Sequence, residues 1–184
     1  MVMKLVLCGD GAVGKTALRH RYMGHGFRSQ YLMTIGAEFS LKDLQWEHEG
    51  QSGRMKAQIW DLAGQQKFHQ VRQLYYTGSH GALLVYDTTH PISFENTVEW
   101  LKEIKKTVGR IPVALIGNKV DLRPHVDLSI SAKKGQQLAK MIQEYFLDGA
   151  FTVPFIETSA KTGENVELAF RELTNIVVSS SMKD

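Results

Sequence analysis

The sequence has little cysteine, little proline and no long apolar run. Its 184 residues include one cysteine, Cys8, and four prolines. A single thiol cannot form an internal disulfide, so a disulfide-stapled secreted fold is excluded and a reducing, cytoplasmic compartment is expected. No stretch approaches the ~20 apolar residues that a membrane-spanning helix needs. Because Lys4 interrupts the first apolar run, we also expect no secretory leader.

The charge balance does not indicate a polyanionic partner. The formal net charge is +3, with 22% charged and 43% hydrophobic residues, which is ordinary for a globular protein. We therefore expect no nucleic-acid binding. No internal repeat or proline-rich linker divides the chain, so the sequence predicts one domain over residues 1–178 and a short polar end over residues 179–184. We expect the protein to be a monomer.

Residues 9–16 read GDGAVGKT and fit the phosphate-binding P-loop pattern GxxxxGK[ST]. An apolar run at residues 3–8 precedes them and a helical pattern follows, which is the context that this loop requires. Glycine lets backbone N–H groups approach phosphate oxygens, and the helix contributes the positive end of its dipole. We expect Lys15 to bind the β- and γ-phosphates and the Thr16 hydroxyl to bind Mg²⁺. The expected nucleotide-binding residues here are Gly11, Ala12, Val13, Gly14, Lys15, Thr16 and Ala17.

The rest of the chain alternates apolar strands with amphipathic helices. The fold class that this predicts is α/β: a P-loop NTPase three-layer α/β/α sandwich with a mostly parallel six-stranded sheet and one antiparallel strand. The polar residues 47–53 are predicted to form a hairpin turn, so strands two and three should be antiparallel neighbours. Strands are predicted at residues 3–8, 38–46, 55–60, 82–86, 112–116 and 153–156, and helices at residues 16–23, 68–77, 91–108, 131–145 and 166–177.

Candidate catalytic residues follow the third strand, at the edge where parallel sheets bind ligands. Asp61 comes directly after Trp60, where a P-loop protein places its second magnesium carboxylate. Gly64 can let a backbone N–H group approach a γ-phosphate, and Gln65 can orient an attacking water. The sequence therefore predicts that Asp61 shares a magnesium site with Thr16.

A candidate base-recognition site follows the fifth strand. Residues 118–121 read NKVD, and the carboxylate of Asp121 can accept hydrogen bonds from both the N1–H and the exocyclic amine of guanine. Adenine has neither donor at these positions, and a site built for such an edge rejects the analogue that lacks it by roughly 10⁴-fold. The pattern NKxD is weak alone, but it is specific when it follows a P-loop and residues 61–65. It predicts guanine recognition by Asn118, Lys119 and Asp121.

In this order the motifs resemble those of the Ras-superfamily small GTPases, most closely those of the Rab branch. The resemblance runs from residue 3 to residue 178, and it includes TIGAEF at residues 34–39, IWDLAGQ at 59–65 and ETSAK at 157–161. It implies a small G domain that binds GTP or GDP with Mg²⁺ and slowly hydrolyses GTP. Such a domain is a molecular switch in signalling or trafficking.

The resemblance also implies further site residues. Thr34 corresponds to the threonine that ligates Mg²⁺ and contacts the γ-phosphate, and Gln65 to the glutamine of hydrolysis. Phe27 corresponds to the aromatic residue beside the guanine, and Tyr31 to the tyrosine that closes over the phosphates. The loop that contacts the guanine O6 corresponds to Ser159, Ala160 and Lys161.

Protein partners are implied as well. The resemblance predicts effectors, exchange factors and GTPase-activating proteins that bind around residues 28–40 and 62–76. Phe39, Trp60 and Tyr75 either form the aromatic triad that Rab proteins present to effectors or pack against the sheet. No arginine stands just before Thr34, so we expect slow intrinsic hydrolysis that a partner's arginine accelerates.

The sequence departs from the pattern of the family at a few positions. Leu62 stands where threonine is usual and Gln66 where glutamate is usual, which can alter the second switch segment without removing a phosphate or metal ligand. The hairpin at residues 47–53 is longer than is typical. The last residues, 179–184, contain no cysteine for prenylation, so membrane attachment is expected only through an anchor that this sequence does not carry.

Two other functions remain open at this stage. One is a metabolic P-loop ATPase or kinase, which Asn118 and Asp121 disfavour. The other is a non-hydrolysing GTP-binding interaction module, which Gln65 disfavours.

Overall fold

The sheet has six strands in the order β2-β3-β1-β4-β5-β6. The computed structural model describes residues 2–27, 33–48, 50–65 and 68–182. β2 pairs with β3 antiparallel, and all the other neighbours are parallel. This arrangement confirms the predicted sheet. The strands are β1 (Val2–Cys8), β2 (Ala37–His48), β3 (Gln51–Leu62), β4 (Gly81–Asp87), β5 (Val113–Asn118) and β6 (Phe155–Thr158).

Helices cover both faces of the sheet. Because side chains alternate along a strand, Leu5 and Leu7 face one hydrophobic core, while Val6 and Cys8 face the other. α1 and α6 close the first core, and α2, α4 and α5 close the second, so the predicted three-layer sandwich is confirmed. The helices are α1 (Lys15–Tyr22), α2 (His69–Tyr76), α3 (Pro91–Glu95), α4 (Thr97–Val108), α5 (Ala132–Met141) and α6 (Val166–Ser181), with a 3₁₀ helix at Val120–His125 and a π-helix at Ile142–Phe146.

The helix ends follow from local chemistry. Pro91 stands at the first turn of α3, where its missing N–H costs nothing. Ser131 is the N-cap of α5, since its hydroxyl accepts a hydrogen bond from the Lys134 N–H at 3.4 Å. None of the described helices is long and apolar enough to cross a membrane.

The predicted hairpin is confirmed, but its turn is shorter than residues 47–53. β2 continues to His48 and β3 begins at Gln51, so Glu47 pairs with Ser52 within the ladder. The indole of Trp46 lies directly over Gly53, where an added Cβ would come within 2.7 Å of the ring. Residues at both ends of this polar stretch therefore belong to the two strands, and the chain reverses between His48 and Gln51.

Several other boundaries differ from the prediction. The single helix predicted at residues 91–108 is two helices that meet at Asn96, and the last strand begins at Phe155 instead of residue 153. The predicted helix 131–145 is an α-helix only to Met141, and Tyr145 at its end is 73% exposed on the π-helix that follows. The expected domain limit at residue 178 lies inside α6, which continues to Ser181.

The first core makes a specific prediction about stability. Phe170 of α6 is buried and stacks on Tyr22 of α1 with ring centroids 3.8 Å apart. Phe170→Ala should lower the free energy of unfolding by about 3–5 kcal/mol, because it leaves a cavity between helix and sheet. Tyr145→Ala, which truncates an exposed ring, should change it by less than about 0.5 kcal/mol. Urea unfolding at a fixed GDP concentration measures both, and equal effects would contradict this packing.

Candidate functional site

Loops at the carboxyl end of the sheet enclose a cleft of about 660 Å³. The segments that follow β1, β3, β5 and β6 all line it, as the parallel topology predicts. The predicted site residues that line the cleft are Gly11, Ala12, Gly14, Lys15, Thr16, Ala17, Phe27, Thr34, Gly64, Gln65, Asn118, Lys119, Asp121, Ala160 and Lys161.

Four predicted site residues do not line the cleft or cannot be placed. Val13, Asp61 and Ser159 are buried and do not line the cleft, but each is hydrogen-bonded to a residue that does. Tyr31 lies outside the described residues, as does Gln66 of the second switch segment.

Two glycines shape the P-loop. Gly9 has a φ of +138°, and a Cβ there would lie 2.0 Å from the Val85 carbonyl oxygen. Gly14 has a φ of +102°, and a Cβ there would lie 2.3 Å from the Asn118 Nδ2 atom. Only glycine satisfies both the left-handed backbone and the close approach of neighbouring loops. The loop conformation therefore depends on residue types that the sequence motif specifies.

The Lys15 ammonium is held inside the P-loop. Its Nζ donates hydrogen bonds to the Gly9 and Asp10 carbonyl oxygens, each at 2.7 Å. Burial of the group lowers the Lys15 pKa to about 8, against partial compensation by the charge of Asp61. A buried cation in a cradle of backbone groups can bind an anion strongly, because little water screens the interaction.

Three oxygen-bearing side chains meet beside Lys15. The Thr16 hydroxyl donates to Asp61 Oδ2 and lies 3.1 Å from the Thr34 hydroxyl. Asp61 is fully buried, its Oδ1 atom has no hydrogen-bond partner among the described residues, and burial raises its pKa. A buried carboxylate oxygen with two hydroxyls nearby matches the hard oxygen ligands of Mg²⁺. Within the part of the chain that the structure describes, no cluster of three His, Cys, Asp or Glu side chains could hold a metal instead.

The backbone after β3 packs against the P-loop. A Cβ at Gly64 would lie 2.4 Å from the Asp10 carbonyl carbon and from the Gly11 nitrogen, so glycine is required there. The Ala63 N–H donates to the Gly36 carbonyl oxygen at 2.9 Å, which links this segment to the one that precedes β2. Gln65 is thereby positioned at the rim of the cleft.

Asn118 connects three loops at the other end of the cleft. Its buried Nδ2 donates to the Val13 carbonyl oxygen at 2.9 Å. Its Oδ1 accepts hydrogen bonds from the Thr158 hydroxyl at 3.1 Å and from the Ala160 N–H at 3.2 Å. These hydrogen bonds therefore hold three loops, at residues 13–16, 118–121 and 158–161, in fixed positions relative to one another.

Asp121 and Lys119 extend from this frame into the cleft. The Ser159 hydroxyl donates to Asp121 Oδ1 at 2.6 Å and so orients the carboxylate. Lys119 has a left-handed backbone with φ of +67°, and its ammonium lies 2.7 Å from a carboxylate oxygen of Asp87. Both side chains are fixed by partners that the NKxD motif alone does not include.

Sequence reasoning missed some residues that shape the cleft. Arg19 is buried and donates to Glu38 at 2.5 Å and to Ser40 at 2.9 Å, which ties α1 to the start of β2. His20 and Glu38 also line the cleft. The spacing of Arg19 four residues after Lys15 places both on one helix face and could have indicated this role.

The aromatic residues Phe39, Trp60 and Tyr75 form one contiguous group. Phe39 stacks on Trp60 at 4.8 Å between centroids, and Trp60 lies 5.8 Å from Tyr75. Phe39 is 51% exposed, whereas Trp60 and Tyr75 are partly buried. The group therefore both packs on the sheet and presents an aromatic surface to solvent.

The sequence model of the Ras family matches residues 4–179 of the chain. Among curated proteins, the Ras-related protein SEC4 of Candida albicans is 36% identical over 96% of this chain and 78% of its own length. The Ras-related protein YPT3 of Nicotiana plumbaginifolia is 44% identical over 95% of this chain and 74% of its own length. The Ras-related protein Rab11D of Lotus japonicus is 42% identical over 94% and 72% of the two lengths. The chain therefore belongs to the Ras family and is a Rab-like small GTPase.

Proposed function

We propose that the protein is a Mg²⁺-dependent GTP/GDP switch that hydrolyses GTP slowly and regulates membrane trafficking in the manner of the Rab branch. The observation that carries this proposal is that three kinds of group meet at one cleft. They are the Lys15 ammonium, the side-chain oxygens of Thr16, Thr34 and Asp61, and the Asp121 carboxylate at the far end. Those groups suit a triphosphate, a divalent cation and a guanine edge respectively.

The P-loop residues 11–17 bind the phosphates in this proposal. Their backbone N–H groups and the N-terminal end of α1 favour negative charge. Lys15 holds its ammonium at the centre of the loop, so it stabilises charge that develops on the β- and γ-phosphates during cleavage. This role needs a cation that is shielded from bulk water, which the burial of Lys15 supports.

The residues that would hold Mg²⁺ are Thr16 and Thr34, through their hydroxyls, and Asp61, through its carboxylate. An ion held there would supply positive charge against the phosphates during phosphoryl transfer. Thr16 lies on α1 and Asp61 on β3, which are rigid elements, whereas Thr34 precedes β2. Thr34 therefore joins the set through a loop that can leave it when the γ-phosphate is lost.

Asp121 recognises the guanine edge in this proposal. The Ser159 hydroxyl donates to one carboxylate oxygen of Asp121, and the hydrogen bonds of Asn118 set the distance between the base and the phosphates in this proposal. Lys119 and Phe27 enclose the base, while Ala160 and Lys161 complete the loop beside the guanine O6.

Hydrolysis rests on Gln65 and Gly64. Gln65 orients the attacking water, and the Gly64 N–H binds the γ-phosphate. The adjacent P-loop backbone fixes Gly64, so this donor is preorganised. Because Leu32 and Met33 precede Thr34, the chain supplies no arginine there and depends on a partner for fast turnover.

The two switch segments are also the binding sites for partner proteins in this proposal. Effectors, exchange factors and GTPase-activating proteins bind around residues 28–40 and 62–76, with Phe39, Trp60 and Tyr75 as an effector surface. Phe39 is the most exposed member, which supports this use. We infer a monomeric G domain over residues 1–178 and a short polar end. The protein acts in the cytoplasm, peripherally on membranes when anchored.

Asp121→Asn tests base recognition. Replacing the acceptor by an amide should weaken GDP binding by at least about 100-fold and shift preference toward xanthosine diphosphate, whose edge presents an acceptor. Asp127→Asn, an exposed change in the same loop region, is the matched control and should bind GDP like the wild type. Equilibrium titration with GDP, ADP and xanthosine diphosphate measures this. Equal wild-type affinity for ADP and GDP would overturn the guanine assignment in favour of an adenine-nucleotide enzyme.

Gln65→Leu tests whether Gln65 takes part in the intrinsic hydrolysis of GTP. The single-turnover rate should fall about 10- to 100-fold because the attacking water loses its orientation, while the Kd for GDP stays within about threefold. Gln70→Leu, at an exposed position of α2, should leave the intrinsic rate unchanged. Phosphate release after rapid mixing with Mg²⁺ gives both rates. A Gln65→Leu rate equal to the wild type would remove this residue from the mechanism.

A further inference from the structure

A buried ion pair joins α2 to α4 next to the candidate site. Arg72 Nε donates to Glu103 Oε1 at 2.9 Å, and Arg72 Nη2 donates to Glu103 Oε2 at 3.0 Å. The two side chains are only 5% and 7% exposed. The pair is bidentate, so it fixes the orientation of the guanidinium as well as its position.

The remaining nitrogen of Arg72 reaches the segment that carries Gln65. Nη1 donates to the Gln65 carbonyl oxygen at 2.7 Å and to the Ala63 carbonyl oxygen at 3.2 Å. These carbonyls flank Gly64 on either side. A single buried guanidinium therefore holds the backbone of this segment while Glu103 holds the guanidinium.

The same helix, α4, also holds the P-loop. Trp100 Nε1 donates to Asp10 Oδ1 at 2.7 Å, and Asn96 Nδ2, just before α4, donates to Asp10 Oδ2 at 2.7 Å. The Arg72 guanidinium stacks 4.2 Å from the centroid of the Trp100 ring. α4 thus contacts the P-loop through Asp10, and the segment that carries Gln65 through Arg72.

Stability alone does not account for this arrangement. A buried ion pair often stabilises a fold no better than apolar residues of similar volume would. An apolar pair could join α2 to α4, but it could not donate a hydrogen bond to the Gln65 carbonyl. The feature that an apolar replacement would lose is the link to Gln65.

We propose that Arg72, held by Glu103, is a positioning residue for GTP hydrolysis that fixes the Gln65 backbone in place relative to the P-loop. The inference rests on the proposed hydrolytic function of Gln65. Neither side chain contacts the nucleotide in this account. Both act through the carbonyl of Gln65 and through α4.

Two variants test this role. Arg72→Met/Glu103→Leu replaces the pair by apolar residues, and Glu103→Gln keeps the shape but removes the charge that orients the guanidinium. We expect the single-turnover rate of GTP hydrolysis to fall about 10-fold or more in the double variant, and by a smaller factor in Glu103→Gln. The Kd for GDP should change by less than about threefold. Glu99→Gln, the same change one turn earlier in an exposed pair with Lys102, is the matched control and should keep the wild-type rate.

A coupling measurement separates positioning from general stability. In a Gln65→Leu background, Arg72→Met/Glu103→Leu should lower the rate by less than about twofold, because the group that it positions is already gone. A merely structural defect would lower the rate by the same factor in both backgrounds and would overturn the proposal. So would a wild-type rate in the folded double variant. If that variant does not fold, an unchanged rate in Glu103→Gln overturns the proposal.

The failure of this inference is distinguishable from failure of the proposed function. A wild-type chain that does not bind or hydrolyse GTP refutes the switch itself. A wild-type chain that hydrolyses GTP, with variants that hydrolyse it equally well, refutes only the role of Arg72 and Glu103.

Discussion

The site depends on one buried amide, the side chain of Asn118. It donates to the P-loop at Val13 and accepts from Thr158 and Ala160, so loops from three parts of the sheet cannot shift independently. Leaving such buried polar groups without partners costs about 1–3 kcal/mol each. The arrangement in which all three loops keep these hydrogen bonds therefore has the lowest free energy. The distance between the P-loop and the loop that carries Asp121 is therefore set by contacts within the protein itself.

The opposite end of the cleft is built from two kinds of segment. Thr16 lies on α1 and Asp61 on β3, whereas Thr34 and Gln65 lie outside the helices and strands, in segments joined by the hydrogen bond from Ala63 to Gly36. In the proposed switch, segments outside regular elements can follow the γ-phosphate more readily than the buried frame around Asn118 can. The hydrogen bonds from Arg72 to the Ala63 and Gln65 carbonyl oxygens limit this movement on one side. The proposed switch therefore combines a fixed base site with a movable phosphate end.

The sequence predicted which residues line the cleft better than it predicted the boundaries of the elements. Phosphate, metal and base chemistry require particular residue types at fixed spacing, so Lys15 and Asp121 could be proposed from the chain alone, and both line the cleft. Contacts between distant segments have no such spacing: Arg72 and Glu103 are 31 residues apart, and neither belongs to a motif. The polar stretch 47–53 resembles a turn in composition, but most of it lies in the two strands, because exposed strand ends and turns carry similar residues. Tertiary packing, which the sequence pattern does not encode locally, decided these cases.

The central claim is that this cleft holds a guanine nucleotide with Mg²⁺. The most direct test is a crystal structure with a non-hydrolysable GTP analogue and Mg²⁺. The account predicts one ion with the Thr16 and Thr34 hydroxyls at about 2.0–2.1 Å and the guanine N1 and amine within hydrogen-bond distance of Asp121. A base that lies away from Asp121, or phosphates bound without an ion beside Thr16, would contradict it.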